Sequence, residues 1–329
     1  MLEKSEGALA AVAKQVNAYA ERDPVKRQTV AFNAPAFSYV LGPKLFLEHF
    51  GEMYQKLVRD DSAEVRTTVA AGFHEVLRVL GTKLVFEQRF DDLFVLLLND
   101  ESPSVINGVL SQLEVCFEIL FDAGAHEEAK AFKEDIVKTL AKAEERVRPV
   151  WRAHLRFFEK LHLFLFSFQG IIIHKKFMPM LMYGLKRCAK EIRRRVCLIL
   201  SDVLQNLPYF AIREELHELP KMLAVSKNSL FRVYYIEFCE AASDRLSRQY
   251  FKSVYREALI SLITDKCPNV LIKLCNVTPK MVRKINAEEK KTIELVESGI
   301  RGLAEKHPKT DVREAAQRAI DEMSGPLFK

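Results

Sequence analysis

The most regularly spaced chemistry in this 329-residue sequence belongs to carboxylates and guanidiniums. Asp60 and Asp61 precede Val65-Arg66, Asp100 and Glu101 precede Val105-Ile106, and Asp265 and Asn269 precede Val270-Leu271. An aspartate just ahead of a helix can cap it, accepting backbone N–H groups that the first turn leaves without partners. Arg66, Arg148, Arg193, Arg232 and Arg313 each follow an apolar residue, at the first or second position of a predicted helix. A cation there opposes the helix dipole, so another charge must hold it. The spacing predicts a structural ladder, each arginine bonded to an aspartate one unit further along. The alternative is a row of solvated surface bases. Ile106 and Leu271 break the series; apolar packing is expected there, with Lys273 taking over beside the second.

Catalytic chemistry finds no comparable pattern. His74-Glu75 runs on as "VLRV", so the second histidine of a zinc-binding HExxH helix is missing, and no two of the eight histidines stand four apart. The chain has no GxxxxGK[ST], GxGxxG or GxSxG loop and none of the metallophosphatase strings GDxHG, GDxxDRG and GNHE. Six cysteines show no CxxC spacing and sit in apolar helical patterns, which predicts reduced core residues. The single tryptophan, Trp151, is likewise expected in the core. No catalytic, cofactor-binding or metal-ligating residue is assigned, and a non-enzyme is the expectation.

The elements that position the charges repeat. Val25-Lys26, Val65-Arg66, Val105-Ile106, Val147-Arg148, Ile192-Arg193, Phe231-Arg232, Val270-Leu271 and Val312-Arg313 follow one another at intervals of 40, 40, 42, 45, 39, 39 and 42 residues. A two-helix unit of that length is the mark of HEAT or armadillo arrays. One unit reads as an amphipathic helix "PKLFLEHFGEMYQKLVR", the turn "DDSAE", and a second helix closed by Gly81 at its C-cap. Val65, Val69, Phe73, Val76, Leu77 and Leu80 fall on one face of that second helix. Hydrophobic residues make up 49% of the chain, while 12 Gly and 12 Pro are too few for a protein of many strands. The predicted fold is all-α, a HEAT-repeat α-solenoid of about seven to eight stacked antiparallel helix pairs. One array is expected over residues 1–329, with an N-terminal partial repeat at 1–42, regular repeats at 43–285 and a capping repeat at 286–329. No apolar run reaches the length of a membrane span, and the first residues show no targeting pattern, so a cytoplasmic, and also nuclear, location is expected.

A formal net charge of +6 hides two opposed blocks. Residues 84–145 hold fourteen acids against five bases, whereas 170–200 hold eight bases against Glu191 alone. Lys186, Arg187, Lys190, Arg193, Arg194 and Arg195 form the densest part of the second block. Such runs are either solvated helix faces or a basic patch that steers an acidic partner.

Two stretches go beyond a generic array. In Phe32 to Gly81, the helix carries VRxxxxxxxHE through Val65, Arg66, His74 and Glu75; later, Tyr250-Phe251, the run from Asp265 to Asn269-Val270, Lys273-Leu274-Cys275 and Pro279 recur in order. These features, with "KKFMPMLMYGL", resemble the regulatory subunits 1 and 4 of phosphatase 4, subunit 4 most of all, which are HEAT proteins related to the scaffold subunit of phosphatase 2A. The resemblance spans about residues 32–285. It implies a non-catalytic scaffold that binds the catalytic subunit of a PP2A/PP4-type serine/threonine phosphatase, directing it to substrates, with no cofactor. By the same implication the turns within the helix pairs grip the partner, making Asp60, Asp61, Asp100, Glu101, Asp265 and Asn269 the candidate contacts. The alternative is an adaptor whose basic patch holds tubulin tails or transport cargo. Nucleic acid ranks below both, because no aromatics interleave with the basic block.

Overall fold

The computed structural model describes residues 11–16, 18–19, 23–121, 127–206, 210–283 and 289–324. Every regular element among them is helical. The chain divides into two compact units, Met1–Phe168 and Gln169–Lys329. Most of the expected N-terminal repeat ahead of Asp23 lies outside the described residues.

In the first unit the chain runs through helices Pro24–Val58, Ala63–Glu87, Phe90–Leu98, Pro103–Ser111, Leu113–Leu120, Glu127–Val147 and Trp151–Phe164. Two of these are pairs of helices joined without a loop. Gly42, at φ 73°, and Gly81, at φ 71°, each interrupt the helical backbone for one residue. A Cβ at either place would meet nothing within 4 Å, so the demand for glycine comes from the positive φ alone. Gly81 does end the helix that starts at Ala63, but the next residue already begins the following one. The segments 43–58 and 63–80 form one antiparallel pair, closed by the short turn at 59–62.

The core of this unit is aromatic. The stripe Val65, Val69, Phe73, Val76, Leu77 and Leu80 is buried along its whole length. Phe73 stacks on Tyr54 at a centroid distance of 6.1 Å and touches Phe90 and Phe94 at 6.4 Å each. Phe94 meets Phe117 at 5.8 Å, and Phe117 meets Phe164 edge-on at 4.6 Å. Ring contacts therefore pass through three successive helix pairs, none of which could cover its own apolar face.

The second unit continues the alternation. Its helices include Lys190–Asn206, Phe210–Ala224, Ser229–Arg245, Pro268–Val282, Lys290–Lys306 and Thr310–Met323. Two runs, 170–187 and 248–264, contain single wide turns at Ile173–Phe177 and Lys252–Arg256. A wide turn can free a carbonyl from the i+4 ladder. The carbonyl of Tyr255, in the second, instead accepts the hydroxyl of buried Tyr235 at 2.8 Å. The last helix buries Val312, Ala315, Ala316 and Ala319 and exposes Asp311, Gln317, Arg318, Asp321 and Glu322. Its outer face is thus one that water accepts.

Candidate functional site: the turns within the helix pairs

The second helix of each pair starts in the same way. Backbone N–H groups of Arg27, Arg66, Ile106, His154, Arg193, Arg232, Leu271 and Arg313 donate to the carbonyl four residues back, at Asp23, Ser62, Ser102, Val150, Ala189, Asn228, Cys267 and Lys309. All eight are therefore the fourth residue of their helix, not the first or second as the residue pattern predicts. At that depth the arginine's own N–H is satisfied and its side chain can turn back over the start of the helix. Two positions also change. Arg27, not Lys26, holds the place in the first pair; His154, not Arg148, holds it where the helix begins at Trp151.

Arg66 and Arg232 each do two things, of which Arg313 shows the first and Arg27 the second. Arg66 Nη1 donates to the carbonyls of Asp60 and Asp61, at 2.6 and 3.1 Å, closing its own turn. Arg232 does the same to Ser226 and Lys227, at 2.7 and 3.3 Å, and Arg313 to His307 and Pro308, at 2.8 and 3.2 Å. The other edge of the guanidinium reaches the next turn. Arg66 pairs with Asp100 through Nε at 2.7 Å and Nη2 at 3.0 Å, and Arg232 pairs with Asp265 at 2.5 and 2.9 Å. Arg27 pairs with Asp60 at 2.5 and 3.1 Å. These two-point pairs fit the planar fork of arginine, which a lysine could not reproduce.

The aspartates cap the turn rather than the helix. Oδ1 of Asp60, Asp100 and Asp265 accepts the N–H of Ser62, Ser102 and Cys267, at 2.9, 2.8 and 2.7 Å. Those three residues are the helix N-caps. Burial raises the Asp265 carboxyl, but hydrogen bonds from Arg232 and Cys267 outweigh it and hold the group below the usual carboxylate range.

Where the next turn lacks an aspartate, the pairing changes. The turn that follows the Arg193 helix pair carries Ser226-Lys227 in place of an aspartate, and Arg193 reaches Glu237 at 3.2 Å and lies 4.0 Å from the ring centre of Tyr234. Arg148 closes on Glu144, four residues earlier, with its shortest bond at 2.6 Å. Fully buried Glu144 also bonds His154 at 2.7 Å, so the histidine at the fourth position pairs back to the end of the preceding helix, not forward to the next turn. Ile106 and Leu271 are buried, and Lys273 reaches back to Glu240 at 2.8 Å.

The candidate contacts separate into two groups. Side chains of Asp60, Asp100 and Asp265 are only 6%, 9% and 5% exposed and are occupied within the chain. Asp61 and Glu101 are exposed at the tips of the first two of these turns, and Asn269 is exposed in the first turn of the helix that follows Asp265. In the basic patch, Arg187, Lys190 and Arg194 are exposed or nearly so, Lys186 and Arg195 are less open, and Arg193 turns inward. Cys116, Cys197, Cys239 and Cys275 are buried, whereas Cys188 and Cys267 are half-buried at helix ends rather than in the core. Among the described residues no group of three His, Cys, Asp or Glu side chains is placed to hold a metal ion.

Trp151 overturns the expectation of a core residue. It opens its helix with 44% of its surface exposed, beside exposed Val150, with the Arg152 guanidinium 4.6 Å from its ring centre. The "VWR" pattern put an apolar residue at a place where the turn faces solvent. Because it is the single tryptophan, its fluorescence reports this directly: emission is expected at the long wavelength of a hydrated indole, with ready quenching by iodide. Trp151→Ala should change stability by less than about 0.5 kcal/mol in urea unfolding.

Stacked helix pairs, with one turn chemistry repeated at the fourth position of each second helix, make the chain a HEAT-repeat α-solenoid. Two solved structures show the same fold: importin beta, with a TM-score of 0.57 and 10% identity over 97% of this chain and 38% of that one, and a multiply substituted Kap121p, with a TM-score of 0.55 and 13% identity over 94% and 33%. In sequence the chain resembles serine/threonine-protein phosphatase 4 regulatory subunit 4 of Homo sapiens, 25% identical over 311 residues, or 90% of this chain. The Mus musculus protein of that name is 25% identical over 267 residues, or 78% of this chain. The chain spans about a third of the length of these relatives, 35% and 30% respectively. No family profile matches it.

Proposed function

We propose that the chain is a non-catalytic scaffold or regulatory subunit that binds a serine/threonine phosphatase catalytic subunit of the PP2A/PP4 class and directs it to substrates. The observation that carries this reading is the sequence likeness to a phosphatase 4 regulatory subunit over nine tenths of the chain. The turn tips are the surface of choice, since their buried carboxylates hold the fold and leave Asp61, Glu101 and Asn269 facing outward. Affinity purification of the tagged chain from its own cells, read by mass spectrometry, is expected to recover a phosphatase of that class. Asp61→Lys with Glu101→Lys should weaken recovery by about tenfold or more while leaving the melting curve unchanged. Recovery of other proteins only, in repeated purifications, would remove the proposal.

The basic patch supports a second reading, because Arg187, which ends one helix, and Lys190 and Arg194, which begin the next, are all exposed. In it the chain is an adaptor for acidic tubulin tails or transport cargo. Co-sedimentation with microtubules at low salt, lost on Arg187→Glu with Arg194→Glu, separates it from the first. No helix among the described residues is long and apolar enough to cross a membrane, and either role would place the chain in the cytoplasm or nucleus.

A further inference from the structure

We propose that a cavity in the second unit, between the 248–261 run and the Lys290–Lys306 helix, is a docking site for a short partner peptide that combines bulky apolar side chains with carboxylates. The cavity has a volume of about 860 Å³. Phe251, Leu259, Ile263, Met281, Leu295 and Val296 form its apolar wall. The hydroxyls of Ser243 and Thr278, also in the lining, bond to carbonyls of their own helices at Glu240 and Leu274, at 2.9 and 2.8 Å. What the wall offers is therefore dispersion and burial. Leu295 is 59% exposed while lining it, an apolar side chain left for an occupant to cover.

The mouth supplies the polar half of the argument. Arg248, Lys252 and Arg256 line the cavity at successive turns of one run, against the acids Glu257 and Glu289. Glu289 shows what such a row accepts. Lys252 Nζ and Arg256 Nη1 converge on its Oε2 at 3.1 and 2.5 Å. Burial raises that carboxyl, and the two cations more than offset it, keeping the group below its ordinary range. Arg248 is exposed and has no carboxylate among the described residues. The three cations span about 12 Å along the helix axis. With Lys252 and Arg256 sharing Glu289, one acidic side chain of an extended peptide meets exposed Arg248, and the next on the same side, about 7 Å further on, takes Lys252 from Glu289. The site is remote in sequence from Asp61 and Glu101 and does not depend on the phosphatase reading.

Fluorescence polarisation on the full chain tests it, with a fluorescein-labelled Glu-Leu-Glu-Phe-Glu-Leu peptide, its counterpart carrying Lys for Glu, and dodecanoate as a competitor. Saturable binding of the acidic peptide is expected, about tenfold tighter than the basic one and weakened by salt. Arg248→Glu and Leu295→Asp change exposed residues, so both variants should melt as the parent does, and each should weaken the acidic peptide about tenfold. Equal binding of the two peptides, or parent-like binding by both variants, overturns the proposal. Dodecanoate binding without peptide binding also overturns it, in favour of a pocket for small amphiphiles.

Discussion

Phe73→Ala is expected to destabilise the chain by about 3–5 kcal/mol, measured as a shift of the urea midpoint at constant slope. Phe73 is fully buried and touches Tyr54, Phe90 and Phe94, rings from its own helix pair and from the next. Removing it opens a cavity between two pairs, not inside one, and rigid helices cannot collapse into that space. Near-neighbour cooperativity should make the loss visible in the whole unit, because each pair relies on the next to hide its apolar side. A midpoint unchanged within error would mean that the ring is not in this core at all.

The second large effect is electrostatic. Asp265→Ala strands the Arg232 guanidinium, 16% exposed, and leaves the N–H of Cys267 without its acceptor. Losing one partner of a largely buried pair costs about 3 kcal/mol at neutral pH. The folded-state pKa of Asp265 lies below its unfolded value of 3.8. Its contribution is therefore fully present above that value and is lost as pH falls through the folded pKa. The gap between parent and variant should be constant from pH 7 down to about pH 5 and close progressively below about pH 4. Chemical denaturation of both proteins across that range decides the matter; a gap that persists undiminished in acid would assign the loss to packing alone. A cycle with Arg232→Ala then isolates the pair from its neighbours.

The fold was legible because two signals coincide in the sequence, an apolar stripe such as Val65 to Leu80 and a spacing near forty residues between like turns. The turn chemistry was legible in part. Aspartate and arginine at Asp100 and Arg66, or Asp265 and Arg232, are recognisable because the partners stand nearly the same distance apart in sequence, 34 and 33 residues. The depth of the arginine was misjudged, since an apolar residue followed by a base does not say where the helix starts. Counting four residues from the cap would have found it, and would have put Arg27 in place of Lys26. His154 obeys the same count, but its cap, Val150, makes no side-chain capping bond that would mark the helix start, and its acid, Glu144, comes from the end of the preceding helix. Trp151 was misplaced for a related reason, as hydrophobicity reports a side chain's preference and not the direction of a turn. The cavity left no mark in the sequence, since it arises from how far apart two helices stand.

The two glycines in the first unit bear on how this chain can change over evolutionary time. At Gly42 and Gly81 one helix hands over to the next with no intervening loop. Adding a residue at either junction would rotate everything downstream by about 100° about the helix axis, turning inward-facing rings toward solvent. The exposed tips at Asp61 and Glu101, by contrast, can exchange their side chains without moving any backbone. Lineages of this protein should accordingly differ by substitution at the tips and keep their length fixed at the joints.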